Sequence, residues 1–240
     1  MATTTITPQA PWTAERVAEQ NRHFYEIYTR DAAAIRARHA AQTAPEAAAL
    51  RLKYQQPVFG EISTWSLFEM MARVIDTADD RLYCTSQEIH MLQVIEAMTA
   101  DGMASEEFVL AALVHDLGKV CMLKGEPAEN VTYMNSLLAT GEPGAGLDQC
   151  TLQWSCDDLT WSRLKDYLPP HLAWLVRYHG ISAKTCAPYM DTRDRDYAER
   201  YLAPFQIYDL YSKSPFGRPR CRLEDFRPII EKYLPPRIVF

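Results

Sequence analysis

The chain has 240 residues, of which 48% are hydrophobic and 23% charged, with a formal net charge of −6. These are ordinary figures for a soluble globular protein, long enough for one large domain or two small ones. The acidic balance argues against nucleic acid or an anionic membrane as the main partner, because both select basic surfaces.

Residues 1–12 (MATTTITPQAPW) carry no basic-then-apolar leader pattern and little to pack, and are expected to be disordered. Residues 15–41 are strong helix formers with apolar residues at helical spacing. Pro57 and Gly60 break that pattern. Ser66 and Glu69 then read as a capping box opening a helix to about residue 77. Ser86 caps a helix to about Thr99 that contains His90, and Asp101-Gly102 makes a turn. Ser105, followed by Glu106 and Glu107, starts the next helix, with acids where the helix dipole favours them. Residues 139–147 read as a loop and 151–167 as a helix. Pro169-Pro170 opens another helix reaching His179, and further helices run from about Tyr197 to Lys213 and onward from Leu223. Alternating strand patterns and repeats are missing, so residues 13–240 are expected to form a single all-α domain. The longest apolar run is far short of a membrane span. Six scattered cysteines with no CxxC pair fit neither a zinc knuckle nor a disulfide framework, which points to a reducing cytosol.

The unusual stretch is FVLAALVHDLGKV (108–120), where seven apolar residues run into His115 and Asp116. Burying an unpaired carboxylate is expensive, so such a group is paired or metal-bound. The plain alternative is an Asp116–Lys119 ion pair, three residues apart on a helix. His90 lies 11 residues before the Asp101 turn and His115 lies 10 after Ser105. In an antiparallel hairpin both sit about 15 Å from that turn, level with each other. On a regular helix His115 and Asp116 project about 100° apart. His179 ends an apolar helix and Asp209 interrupts another. Imidazole and carboxylate together suit a first-row metal such as iron or manganese. The order H…HD…H…D is the signature of the HD superfamily of helical metalloproteins.

The chain resembles the myo-inositol oxygenase family more closely than the superfamily at large. The motifs that carry this are HMLQ (90–93), LVHDLGKV (113–120), GEP (125–127), GLD (146–148), Trp154, LPP (168–170), RYH (177–179), YDLYSK (208–213) and EKYLP (231–235). The resemblance spans about Leu52 to Pro235. It implies a helical HD-type core holding two irons, and an oxygenase that uses O2 to oxidise and cleave a small polar substrate. Carried over by position, it implies that His90, His115 and Asp209 bind one iron, that Asp116 bridges, and that His179 binds the other. Lys119 and Lys213 match substrate-contacting lysines, and Asp76 a further polar position.

Three departures stand out. Cys156 occupies the place of a second-iron histidine and is a further candidate ligand. Only 18 residues (128–145) replace a long substrate loop. Gly180 replaces a polar substrate-contacting residue. The implied substrate is therefore polyol-like or hydroxylated but not myo-inositol. Two other readings remain: an HD-type metal-dependent phosphohydrolase using His90, His115, Asp116 and Asp209, and a degenerate non-catalytic member. The aromatic residues at 161, 174, 197, 201, 208 and 211 read as core or pocket wall, and His23 and His39 as surface residues without a role.

Overall fold

The computed structural model describes residues 13–82, 85–132 and 135–240; the N-terminal segment expected to be disordered lies outside them. The elements in order are α1 (Ala14–Ala40), α2 (Ala44–Lys53), β1 (Glu61–Ser63), α3 (Thr64–Met70), α4 (Gln87–Ala100), α5 (Glu106–Val114), a 3-10 segment (Leu117–Lys124), α6 (Ala128–Val131), β2 (Leu137–Ala139), β3 (Thr151–Leu152), α7 (Cys156–Leu164), α8 (Pro170–Tyr178), α9 (Ala183–Cys186), α10 (Thr192–Tyr197), a π-helical turn (Ala198–Leu202), α11 (Ala203–Tyr211), α12 (Arg227–Tyr233) and β4 (Arg237–Val239). The fold is all-α. Its two short antiparallel ladders, β1 with β4 and β2 with β3, are too brief to show an alternating pattern in sequence.

The capping arguments hold at Ser86 and Ser105, whose hydroxyls accept from the Ile89 and Phe108 backbone N–H groups. They fail at Ser66. That helix starts at Thr64 behind Ser63, whose Oγ accepts from Ser66 N, because the ladder to β4 fixes Ser63 as the last extended residue. It also ends sooner, at Met70. The helix expected from residue 151 begins only after Ser155, the preceding residues being used by β3. His39 is buried rather than exposed. Its Nδ1 lies 2.7 Å from the Glu129 carbonyl and so ties α1 to α6. Tyr211 faces solvent rather than the core.

One continuous apolar core links α3, α4, α5, α7, α8 and α11. α5 is buried over its last six residues, from Val109 to Val114. Such a helix carries its terminal residues into the interior, which is where His115 and Asp116 follow. No helix among the described residues is long and apolar enough to cross a membrane.

Candidate metal centre

The α4–α5 hairpin sets His90 and His115 level, with ring centroids 5.4 Å apart. α5 does not continue regularly through the histidine and aspartate. Asp116 takes φ −103°, ψ 6° and the chain tightens into the 3-10 segment, a sparsely populated region where active-site residues often sit. The two side chains therefore do not splay as on a regular helix: His115 Nε2 and Asp116 Oδ2 lie 3.2 Å apart. Gly118, just beyond, is required by close packing. A Cβ there would meet the Cys156 carbonyl oxygen at 2.2 Å.

α11 completes this half. Pro204 lacks an N–H and its ring would collide with the carbonyl four residues back. The preceding turn widens to π-helix at Ala198–Leu202, and α11 presents Asp209 inward. Asp209 Oδ1 lies 3.0 Å from His90 Nε2 and 3.7 Å from His115 Nε2, while His90 Nε2 is 3.8 Å from Asp116 Oδ2. Metal bonds of about 2.1 Å at 90–110° separate neighbouring donors by about 3.0–3.4 Å, so these four groups can converge on one ion with little adjustment. His115 Nδ1 donates to the Ala112 carbonyl at 2.9 Å, which leaves Nε2 bare and aimed into the cluster, where it makes no hydrogen bond. Burial, more than any neighbouring charge, pushes the His90 imidazole down to about 4, so it is neutral.

The other half lies across the same carboxylate. Asp116 Oδ1 is 3.7 Å from Cys156 Sγ and 3.8 Å from His179 Nε2. Cys156 and Asp157 are the first two residues of α7, at the positive end of its dipole, and His179 follows the last turn of α8. Asp116, Cys156 and Asp157 present ligand atoms within 4.8 Å of one another, as do His90, His115 and Asp116. Burial pushes the Cys156 thiol up, and the Asp157 and Asp116 carboxylates push it further. Burial would lower the His179 imidazole, but Asp157 and Asp116 outweigh it and raise it to about 9.

The charge pattern fits cations. Four buried carboxylates, those of Asp76, Asp116, Asp157 and Asp209, are gathered around two lysines, Lys119 and the nearly buried Lys213. Uncompensated buried charge is costly; His179 answers it by holding a proton where a metal ion could bind.

The sequence-level ion pair is also real, since Lys119 Nζ donates to Asp116 Oδ2 at 2.9 Å. It is one of three bonds, the others going to Asp76 Oδ2 at 2.7 Å and Gln87 Oε1 at 3.3 Å, and it leaves Asp116 Oδ1 to the second half. Lys213 Nζ lies 3.4 Å from Asp209 Oδ1 and donates to Asp79 Oδ2 at 3.0 Å. Asp76, Asp116, Lys119, Cys156, His179, Gly180, Asp209 and Lys213 all border one cavity of about 270 Å³. His171 does not. It lies 3.1 Å from Glu107 and stacks on Tyr201.

Sequence reasoning missed Asp79, Arg36, Arg81 and Gln206, which border the same cavity. Asp79 was legible as the second acid of a D-x-x-D spacing ahead of His90. Arg36 was not, being one of several arginines on α1.

The profile of the family described as Myo-inositol oxygenase matches residues 29–132, a span that includes Asp76, His90, His115, Asp116 and Lys119. Inositol oxygenase 1 of Arabidopsis thaliana is 26% identical over 92% of this chain and 81% of its own length. Probable inositol oxygenase of Oryza sativa subsp. japonica is 28% identical over 85% and 78%. Inositol oxygenase of Homo sapiens is 24% identical over 61% and 64%. The ordered motifs, the helical core that buries them and relatives aligned over most of the chain point the same way: over most of its length the chain is similar to the inositol oxygenases.

Proposed function

We propose that the chain is an iron-dependent oxygenase acting on a small polyol-like or hydroxylated substrate other than myo-inositol, with two irons sharing Asp116. His90, His115 and Asp209 would hold one iron and His179 part of the other. The observation that carries this reading is the division of one buried carboxylate, with Oδ2 turned to the two histidines of the hairpin and Oδ1 to His179. Bound iron would supply a Lewis acid for substrate oxygens and a site for O2 activation.

The chain's own part is positioning and charge. Lys119 and Lys213 sit at the cavity wall as ammonium groups; burial opposes their charge, but Asp116 and Asp76 around the first and Asp209 and Asp79 around the second restore it. Lys213 can offer a hydrogen bond to a substrate hydroxyl and neutralise it as it loses its proton, and Lys119 can do so by giving up its long 3.3 Å bond to Gln87. Asp76 and Asp79 hold the two amines in place and can accept hydrogen bonds from further hydroxyls. The ligand side chains are all nearly buried, so water is largely excluded and these interactions act at low dielectric.

The cavity lies at the small end of ligand pockets, which run roughly 300–1,000 Å³. The short segment that stands where the family carries its long loop backs the cavity wall at Gly180, with Asn135 N donating to the Gly180 carbonyl at 2.9 Å. Every basic side chain on the cavity is already engaged with a carboxylate, which disfavours a phosphoester substrate and with it the hydrolase reading. The test is anaerobic iron loading followed by O2 uptake over a panel of polyols and hydroxylated amines. Uptake is expected with a panel member, with myo-inositol turned over well below about 1 s⁻¹, the lower end of ordinary enzyme rates. Turnover of myo-inositol at that rate refutes the specificity. Iron-loaded protein inert toward the whole panel refutes the activity.

A further inference from the structure

The three departures from the family pattern, at Cys156, in the short 128–145 segment and at Gly180, meet at one point. Asn135, from the short segment, donates its Nδ2 to Asp157 Oδ2 at 2.9 Å. A Cβ at residue 180 would lie 2.6 Å from that same oxygen, so the Asp157 carboxylate occupies space that a side chain at 180 would need. Its other oxygen, Oδ1, lies 3.2 Å from Cys156 Sγ, and that sulfur is 3.7 Å from Asp116 Oδ1. Asp157 is fully enclosed, 3% exposed.

We propose that Cys156 and Asp157 together complete the second metal half-site with His179 and Asp116 Oδ1, one thiolate and one carboxylate standing where the family has an imidazole, and that Asn135 is the positioning residue that fixes Asp157. The inference rests on the dinuclear reading above and deepens it. Metal–sulfur bonds of about 2.3 Å and metal–oxygen bonds of about 2.1 Å at 90–110° place sulfur and oxygen about 3.1–3.6 Å apart, and the two sulfur–oxygen separations, 3.2 and 3.7 Å, fall within and just above that range. The N-terminal turn of α7 favours the added negative charge, and Gly118 lets α7 approach closely enough for the shorter cysteine to reach. Binding is a proton exchange: the thiol S–H bond breaks, the proton leaves to solvent, and a sulfur–metal bond forms with no change of oxidation state. The second ion would then be held by three anionic groups rather than one.

Anaerobic titration of the full chain with Co(II) tests this, read by metal content and by near-ultraviolet absorption. Two equivalents are expected, with a sulfur-to-cobalt charge-transfer band growing in with the second. Cys156→Ser should abolish the band. The near-isosteric Asp157→Asn should lose the second equivalent and keep the first, and Asn135→Ala should weaken the second by roughly tenfold, as removal of an orienting partner does. Asp209→Asn should weaken only the first. No band in the wild-type chain, or an Asp157→Asn variant that holds the second ion as tightly as wild type, overturns the proposal. Two equivalents in those cases leave the dinuclear reading standing, and a wild-type chain that binds one or none overturns both.

Discussion

His90 and His179 are both buried imidazoles facing Asp116, yet they are driven in opposite directions. Burial takes His90 down to about 4, leaving a neutral ring. At His179 the same burial is outweighed by Asp157 and Asp116, and the ring rises to about 9. In the hairpin half His115 Nε2 is bare and aimed inward, and neutral His90 donates its Nε2–H to Asp209 Oδ1 at 3.0 Å, so the ligands already converge. The other half is an excess of negative charge gathered at two helix ends, neutralised by protons until a cation arrives. One half is prepared by geometry and the other by charge.

The largest test of that contrast is Asp116→Ala, which removes the group common to both halves. Metal binding should fail in each, and stability should fall by about 3–5 kcal/mol, since Lys119 would lose a buried partner. Denaturant melts with metal analysis check this; full metal content in the variant would refute the shared role.

Gly118→Ala separates the halves. Its Cβ would meet the Cys156 carbonyl at 2.2 Å and Thr160 Oγ1 at 2.8 Å. α7 must back away, at a cost of about 1–3 kcal/mol. The second half should bind metal more weakly while the His90–His115–Asp209 half is unchanged. A thermal melt and stoichiometric titration read both, and an unaltered second half would show that the approach of α7 does not set it.

The order of filling is a finer measure. The first half needs no proton displaced from sulfur, so it should fill at lower free metal than the second. Cys156→His should narrow the gap. Challenge with a mild chelator would show it, and two ions released together in wild type and variant alike would refute the ranking.

The smallest effect concerns the support of His179. Asp148 accepts from Tyr178, Arg177 and Arg193 and so clamps α8. Burial would raise its carboxyl, but Tyr178, Arg193 and Arg177 outweigh it and hold it below the usual range. A depressed carboxyl stabilises the fold above its unfolded value, near pH 4, and that contribution disappears as pH falls through the folded value. With Asp148 partly exposed the contribution is under about 1 kcal/mol. Asp148→Asn should flatten this part of the acid limb in melts recorded from pH 6 to pH 3; an unchanged limb would remove the clamp from the account.

How much of this was legible depended on whether a residue's role was local or long-range. His90 and His115 could be placed level because both are counted from one turn along regular helices. Ser86 and Ser105 were readable because a cap acts within three residues. What escaped was decided by distant chain. Ser63 displaced Ser66 as a cap because of a ladder to residues near the C-terminus. α2 was not legible because its alanine-rich stretch, with Ala47 alone fully buried, carries little apolar periodicity. The departure at Cys156 was visible as a loss; the geometry at Asp157 needed Asn135 and Gly180, 22 and 23 residues away on either side, to be seen together.

The π-helical turn before α11 makes residues 198–202 a gearing element. A five-residue π turn rotates about 90° less than five residues of α-helix and so absorbs one extra residue; wound as regular α-helix at full length, this stretch would turn everything after it by about 90°, carrying Asp209 and Lys213 off the cavity together while changing neither side chain. A one-residue deletion between Ala198 and Leu202 should therefore straighten the helix and keep the hairpin half in phase, whereas a two-residue deletion should silence that half as thoroughly as mutation of its ligands.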